Sequence, residues 1–199
     1  MVTPSRPPLA PPSTPAAQRA AALQLIAGRY AEVHGATISA LFDELLTEPL
    51  GKGEPAAVCG YRRATAGPLF LESYLDEPVE TVLSLSLGRT VARGDVVEIG
   101  NLAATNAGAM VSLWARAAND LAGSGEIAVA VLTLPLRRMF GRLGINLIEI
   151  APARPERLGE DAVAWGSYYQ RDPRVCAGLI AEGSAQLRRF APVSRGRCA

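Results

Sequence analysis

The stretch VVEIGNLAATNAGAM, residues 96–110, puts a carboxylate, a glycine and a loop of small residues into one short run. Val96, Val97 and Ile99 read as a buried strand, yet Glu98 and Gly100-Asn101 sit inside it. Glycine weakens a strand and marks a bulge or a close backbone approach. A bulge leaves backbone N–H groups outside the ladder, where a ligand can take them. The loop Ala104–Ala109 then enters a helix start, where free N–H groups and the helix dipole favour anions. Strand, bulge, loop and helix in that order predict a place for a phosphate-bearing acyl thioester. Its carbonyl lies against the bulged strand. Its pantetheine or phosphate part lies over Leu102, Ala103, Asn106, Ala107, Gly108 and Ala109, with Glu98 nearby.

Other chemistries find less support. Cys59, Cys176 and Cys198 have no metal-ligand spacing and form no even disulfide set. A single histidine, His34, excludes a multi-histidine zinc site and reads as a surface residue at a helix end. The net charge of +1 gives no argument for nucleic acid or an anionic membrane. Arg188, Arg189, Arg195 and Arg197 read as a solvated basic tail. No apolar run approaches the roughly 18 residues of a spanning helix. The opening MVTPSRPPLAPPSTPAAQ lacks a charged-then-apolar signal, so export by that route is not expected. The expected location is the cytoplasm.

The elements that must position these groups follow from periodicity and punctuation. Residues 1–14, rich in Pro and Ser, are expected to be disordered, and residues 193–199 a flexible tail. One domain is expected over residues 15–192, a length with 49% apolar residues that suits a single core. Thr14 caps and Pro15 opens a helix running to Gly35. ISALFDELL reads as a short second helix, AAVCGYRRA as a strand, GPLFLESYL as another strand and DEPVETVLSLSLG as a helix. GDVVEIGNLAA is a strand, GAMVSLWARAANDLAGSG a helix and EIAVAVLTL a buried strand. PLRRMFGRLG is helical, INLIEIA a strand, AVAWGSYY a further strand and DPRVCAGLIAEGSAQLRRF a long helix. Alternation of strands and helices from Asp95 to Ile150 makes this an α/β fold. The strands VVEIGNLA and IAVAVLTL, joined by a helix, should be parallel and diverge at one end.

EIAVAVLTLPLRRMFGRLGINLIEIA resembles the second half of the GCN5-related N-acetyltransferase fold, where a splayed parallel strand pair holds the thioester. That family's loop pattern would run from Thr105 to Met110, and only Gly108 matches it. Its following tyrosine has no match; the aromatic there is Phe140. A closer resemblance covers roughly residues 20–180. The blocks GYR, LFLESYLDEPVE, VEIGNLA, FGRLGI and WGSYYQRDPRVCAG, in that order, resemble the thermostable hemolysin family. The same order is similar to acyl-homoserine-lactone synthases, with their Gly-x-x-Arg strand and Glu-x-x-Arg strand. By that likeness Arg62 matches the first arginine and Glu98 the acid, while Asn101 replaces the second arginine.

The resemblance implies a mixed central sheet flanked by helices and an N-acyltransferase. The co-substrate is an acyl-CoA or acyl-phosphopantetheine thioester, with an acyl carrier protein as possible partner and a small amine or amino acid as acceptor. Glu98 is then the expected base that deprotonates the amine. Backbone N–H groups near Gly100 polarise the carbonyl. Tyr168 or Tyr169 supplies the thiolate's proton. Arg62 holds a substrate carboxylate or orders Glu98, and Glu72, Tyr74, Asn101 and Trp165 line the substrate. Two other readings stand beside this one. A membrane-active hemolysin lacks a long apolar segment or a basic amphipathic helix here. A non-catalytic acyl-thioester binder has no need to retain Glu98 and Arg62.

Overall fold

The computed structural model describes residues 14–38, 42–50, 54–121, 123 and 125–190. The expectations for residues 1–13, and for the chain beyond 190, lie outside them. Helix α1 runs Pro15–His34; the Thr14 hydroxyl accepts from the Ala17 N–H at 3.3 Å. Gly35, at φ +63°, closes it by donating to Ala31 and Tyr30 carbonyls. Strands β1 (Glu44–Pro49), β2 (Pro55–Arg63) and β3 (Val96–Ala104) follow, with α2 (Val79–Leu87) between β2 and β3. Then come α3 (Ala107–Asp120), β4 (Ile127–Leu132), α4 (Leu134–Arg142), β5 (Ile148–Pro152), β6 (Arg174–Leu179) and α5 (Ile180–Leu187).

The six strands form one mixed sheet in the order β1-β2-β3-β4-β6-β5. β3 and β4 are parallel, as their helical connection requires, and the other pairings are antiparallel. Helices α3 and α5 cover one face, where Val97 packs with Leu121 and Ile180, and Leu113, Trp114 and Leu187 share a core. The other face carries α1 over Val58 and Ala103, and α2 over Val96, Ile127, Val129 and Val175.

Four expected elements differ. Residues 44–46, expected in a second helix, open β1. Their side chains alternate too little to favour either state, and pairing with β2 decides it. Residues 70–74, expected as a strand, form a 3₁₀ turn because Glu98 captures the Phe70 and Leu71 N–H groups. Residues 162–169 lie in 3₁₀ turns around Gly166, not in a strand. The expected long C-terminal helix is β6 followed by α5. Its first half, RVCAGL, fills the vacant edge of β4 and bridges it to β5.

Candidate functional site

Strand β3 bulges one residue beyond the expected glycine. Val58 pairs with Ala103 and Gly60 with Gly100, so Cys59 faces both Asn101 and Leu102. Asn101 sits at φ +49°, a left-handed conformation that asparagine tolerates better than most residues. The extra residue reverses which face each later side chain takes. Before it, Val97 and Ile99 face α3 and α5; after it, Leu102 faces them and Ala103 faces α1. Gly100 and Gly60 are required by Phe42, which lies across both. A Cβ at Gly100 would stand 2.4 Å from the Phe42 ring, and one at Gly60 2.5 Å from its Cβ. Pairing of β3 with β4 ends at Ile99–Ala130, and beyond that point the two strands part.

Three spaces meet at this parting. A groove of about 320 Å³ is lined by Gly100–Ala104, by Asn106, Ala107 and Met110 at the start of α3, and by Val131, Thr133 and Leu136. Its far wall is Arg29, Tyr30 and His34 of α1, with Tyr168 and Arg171. A cavity of about 100 Å³ lies on the α3/α5 side, walled by Leu102, Trp114, Leu132, Phe140, Leu147 and Leu187 among other apolar groups. Leu102 borders both. The third space, about 30 Å³, is a chamber walled by Tyr30, Phe42, Phe70, Tyr74, Trp165 and Tyr168, with Asn101 at its mouth on the groove.

Asn101 is 4% exposed, and neither its amide nitrogen nor its amide oxygen has a hydrogen-bond partner. Such orphaned pairs are rare and expensive in a folded interior. Leu102, Ala103, Asn106 and Ala107 line the groove; Gly108 and Ala109 lie behind, in the first turn of α3. There the Asn106 side chain caps the helix by accepting from the Ala109 N–H at 2.9 Å. Tyr168 also lines the groove. Its hydroxyl donates to the Val131 carbonyl, and burial holds the phenol well above its ordinary pKa.

The expected base is elsewhere. Glu98 is 2% exposed and borders none of the three spaces. One oxygen accepts from Phe70 N–H at 2.9 Å and the other from Leu71 N–H at 2.8 Å. Burial pushes its carboxyl up to about 7, against the opposing pull of those two N–H groups and of Arg62. Arg62 faces Glu98 across the strands, lies over the Phe42 ring and donates to the Pro68 carbonyl. The Gly-x-x-Arg spacing counted from Gly60 reaches Arg63, one residue later. Glu72 borders no space either. It accepts from the N–H groups of Leu69 and Val79 and pairs with Arg93, which holds its carboxyl down at about 2. Tyr169 is turned away from the groove, its hydroxyl bonded to that of Tyr74 at 2.7 Å.

His34 is the group that the sequence reading misplaced. It is half-buried on the groove wall, its ring 5.2 Å from that of Tyr168, and its Nδ1 has no partner. Burial and the charge of Arg171 lower its pKa, which favours the neutral ring. The backbone places it: the His34 carbonyl accepts from Ser167 N–H at 2.8 Å, and Gly166 approaches so closely that a Cβ there would collide with it. The one local signal was the Tyr30/His34 spacing, which puts both rings on one side of α1.

A mixed sheet parted between two parallel strands, with helices on both faces, is a fold shared with solved structures of low sequence identity. The crystal structure of TofI in a ternary complex with an inhibitor and MTA superposes with a TM-score of 0.57 at 19% identity, over 89% of this chain and 92% of that one. The acyl-homoserine-lactone synthase LasI gives 0.57 at 14% identity, covering 88% and 90%. FeeM, an N-acyl amino acid synthase from uncultured soil microbes, gives 0.58 at 14% identity, covering 85% and 94%. No curated protein matches the chain. Residues 13–184 match the thermostable hemolysin family model, and the chain belongs to that family.

Proposed function

We propose that this protein is an N-acyltransferase that moves an acyl group from a coenzyme A or carrier-protein thioester to an amine. The observation that carries the reading is the parting of β3 and β4, with a part-polar groove on one side and an apolar cavity on the other. A thioester is such a two-natured ligand. Its pantetheine follows the groove, its phosphates meet the N-terminal end of α3 at Asn106 and Ala107, and its acyl chain passes Leu102 into the cavity. The similarity to LasI and FeeM, named as acyl-homoserine-lactone and N-acyl amino acid synthases, supports the same reading. The proposal includes a cytoplasmic location, where such thioesters are made.

The proton inventory assigns the roles. An ammonium gives one proton, by way of solvent in the groove, to His34, and the freed nitrogen attacks the thioester carbon. The C–N bond forms as the C–S bond breaks, with Asn101 Nδ2 donating to the carbonyl oxygen. The nitrogen's surplus proton passes to the departing sulfur, beside the Tyr168 hydroxyl, and His34 returns its proton to solvent. Glu98 acts as a positioning residue, holding the turn that carries Phe70 and Tyr74. Among the described residues no helix is long and apolar enough to cross a membrane. Unpartnered groups at the parting favour chemistry over passive binding.

Thermal shift and native mass spectrometry with acyl-CoA thioesters of graded chain length test the reading. Saturating donor at about 100 times Kd stabilises by about 2.7 kcal/mol. Affinity rises with chain length until the cavity is filled, and Leu102→Trp shifts the optimum to shorter chains. No stabilisation by any thioester, or equal stabilisation by free CoA, overturns it.

A further inference from the structure

The aromatic chamber is the part of the site that the thioester leaves unfilled. Its rings pack as a cage: Phe70 lies 5.7 Å from Trp165 and 5.8 Å from Tyr74, and Tyr30 6.1 Å from Trp165 and 6.4 Å from Tyr168. Phe42, pressed onto Gly60 and Gly100, completes it. Among the described lining residues the one side-chain amide belongs to Asn101, which also faces the groove proposed for the thioester. The chamber's chemistry follows from these walls. Ring faces carry negative potential and attract a cation, most strongly when it is stripped of water. Among the described lining residues none is an arginine or lysine, and the Arg62 guanidinium stands behind the Phe42 ring, 5.8 Å from its centroid, so a carboxylate entering here meets ring faces first. The space of about 30 Å³ holds about two waters. It takes an amino group and the carbon that bears it.

We propose that the chamber is the seat of the acyl acceptor, and that the acceptor is a primary amine on an unbranched carbon, R–CH₂–NH₃⁺, rather than an α-amino acid. The inference rests on the N-acyl-transfer reading and narrows it. The ammonium sits among the rings with one N–H directed to Asn101 Oδ1. Asn101 Nδ2 holds the carbonyl oxygen of the thioester, so one side chain sets nucleophile and electrophile face to face. Both of its orphaned atoms are then satisfied by the two substrates together. An α-amino acid brings its carboxylate to the same carbon, against ring faces that screen it from Arg62 behind Phe42. The rest of R leaves through the groove, whose rim carries Arg29 and Arg171.

The experiment uses the full chain and a thioester whose binding has been established by thermal shift. Thiol release and amide product are followed with butylamine, ethanolamine and 1,4-diaminobutane against alanine and homoserine. The expected result is a kcat/KM for the simple amines at least about 100-fold above that for the amino acids, since a buried group left unpaired is rejected strongly. Trp165→Leu, or Phe70→Leu if that variant does not fold, raises KM for the amine about tenfold or more and leaves donor affinity unchanged. If a thioester binds and alanine or homoserine is acylated as fast as butylamine, the seat is overturned while acyl transfer stands. If a bound thioester is only hydrolysed whichever amine is present, the seat is likewise overturned. If no thioester binds at all, the acyl-transfer reading falls and the seat with it.

Discussion

Two regions of this molecule bury polar groups, and they treat them oppositely. At the corner between β2, β3 and α2, Glu98 and Glu72 accept from four backbone N–H groups, and Arg93 joins Glu72 to Glu80 and to the Ala64 and Gly67 carbonyls. At the parting of β3 and β4 the reverse holds. Of five buried side-chain polar atoms without a partner among the described residues, three belong to His34 and Asn101. Of the other two, Trp114 Nε1 belongs to a residue that walls the apolar cavity, and Glu48 borders none of the three spaces. A satisfied polar cluster fixes a shape; an unsatisfied one, facing a space, waits for a ligand to complete it. By that measure Glu98 is held as part of the architecture, and the Asn101 amide and the His34 imidazole are the groups left open to the proposed chemistry.

The contrast is broken or sharpened by substitutions on each side. The largest effect is expected at His34. His34→Gln removes the proton acceptor and lowers kcat by about 10²–10⁴, with little change in melting temperature, and free imidazole restores part of the rate to His34→Ala. Wild-type turnover by His34→Gln sinks the assignment. Glu98→Gln comes next. Its amide nitrogen confronts the N–H of Phe70 or Leu71, so about 1–3 kcal/mol of stability is lost. The folded fraction keeps its donor affinity but shows a raised KM for amine, while kcat falls less than tenfold. A loss of kcat as large as that at His34, without a loss of stability, returns the base to Glu98.

The smallest effect is in pH-dependent stability. Glu72, held at about 2 by Arg93, contributes stability that is complete above its ordinary value near 4.5 and fades as the pH falls toward 2. Glu98, raised to about 7 by burial, has the opposite sign: the folded state binds its proton more tightly, so stability declines as the pH climbs from about 4.5 through 7. Melting curves should show the wild type most stable in the mildly acidic range. Arg93→Ala flattens the acid limb, and Glu98→Gln flattens the limb toward neutrality.

Much of the architecture was legible in local pattern. Thr14, Pro15 and Gly35 bound α1 through cap chemistry alone. The parallel pairing of β3 with β4 followed from the helix between them. What was not legible depended on contacts far apart in the chain. RVCAGL reads equally as helix or strand, and only the empty edge of β4 decides. The turn at Phe70–Tyr74 exists because a carboxylate 27 or 28 residues later captures its N–H groups. The groove-lining residues of β3 and of the loop were visible from the bulge and the helix start. His34 was not, because its burial comes from Gly166 and Tyr168 at the other end of the sequence.

The chamber's walls come from α1, Phe42, the turn at Phe70–Tyr74 and the segment Trp165–Tyr168. No local stretch of chain can prefigure such a space, since its closure needs contacts between the first helix and residues more than a hundred positions later. On the ribosome, strands β1 to β4 and their helices are all translated while the chamber still lacks Trp165 and Tyr168. The nascent protein therefore stays without a complete chamber until its C-terminal segment has emerged, and a chain cut short before Trp165 lacks two of the rings that wall it, whatever it has already folded.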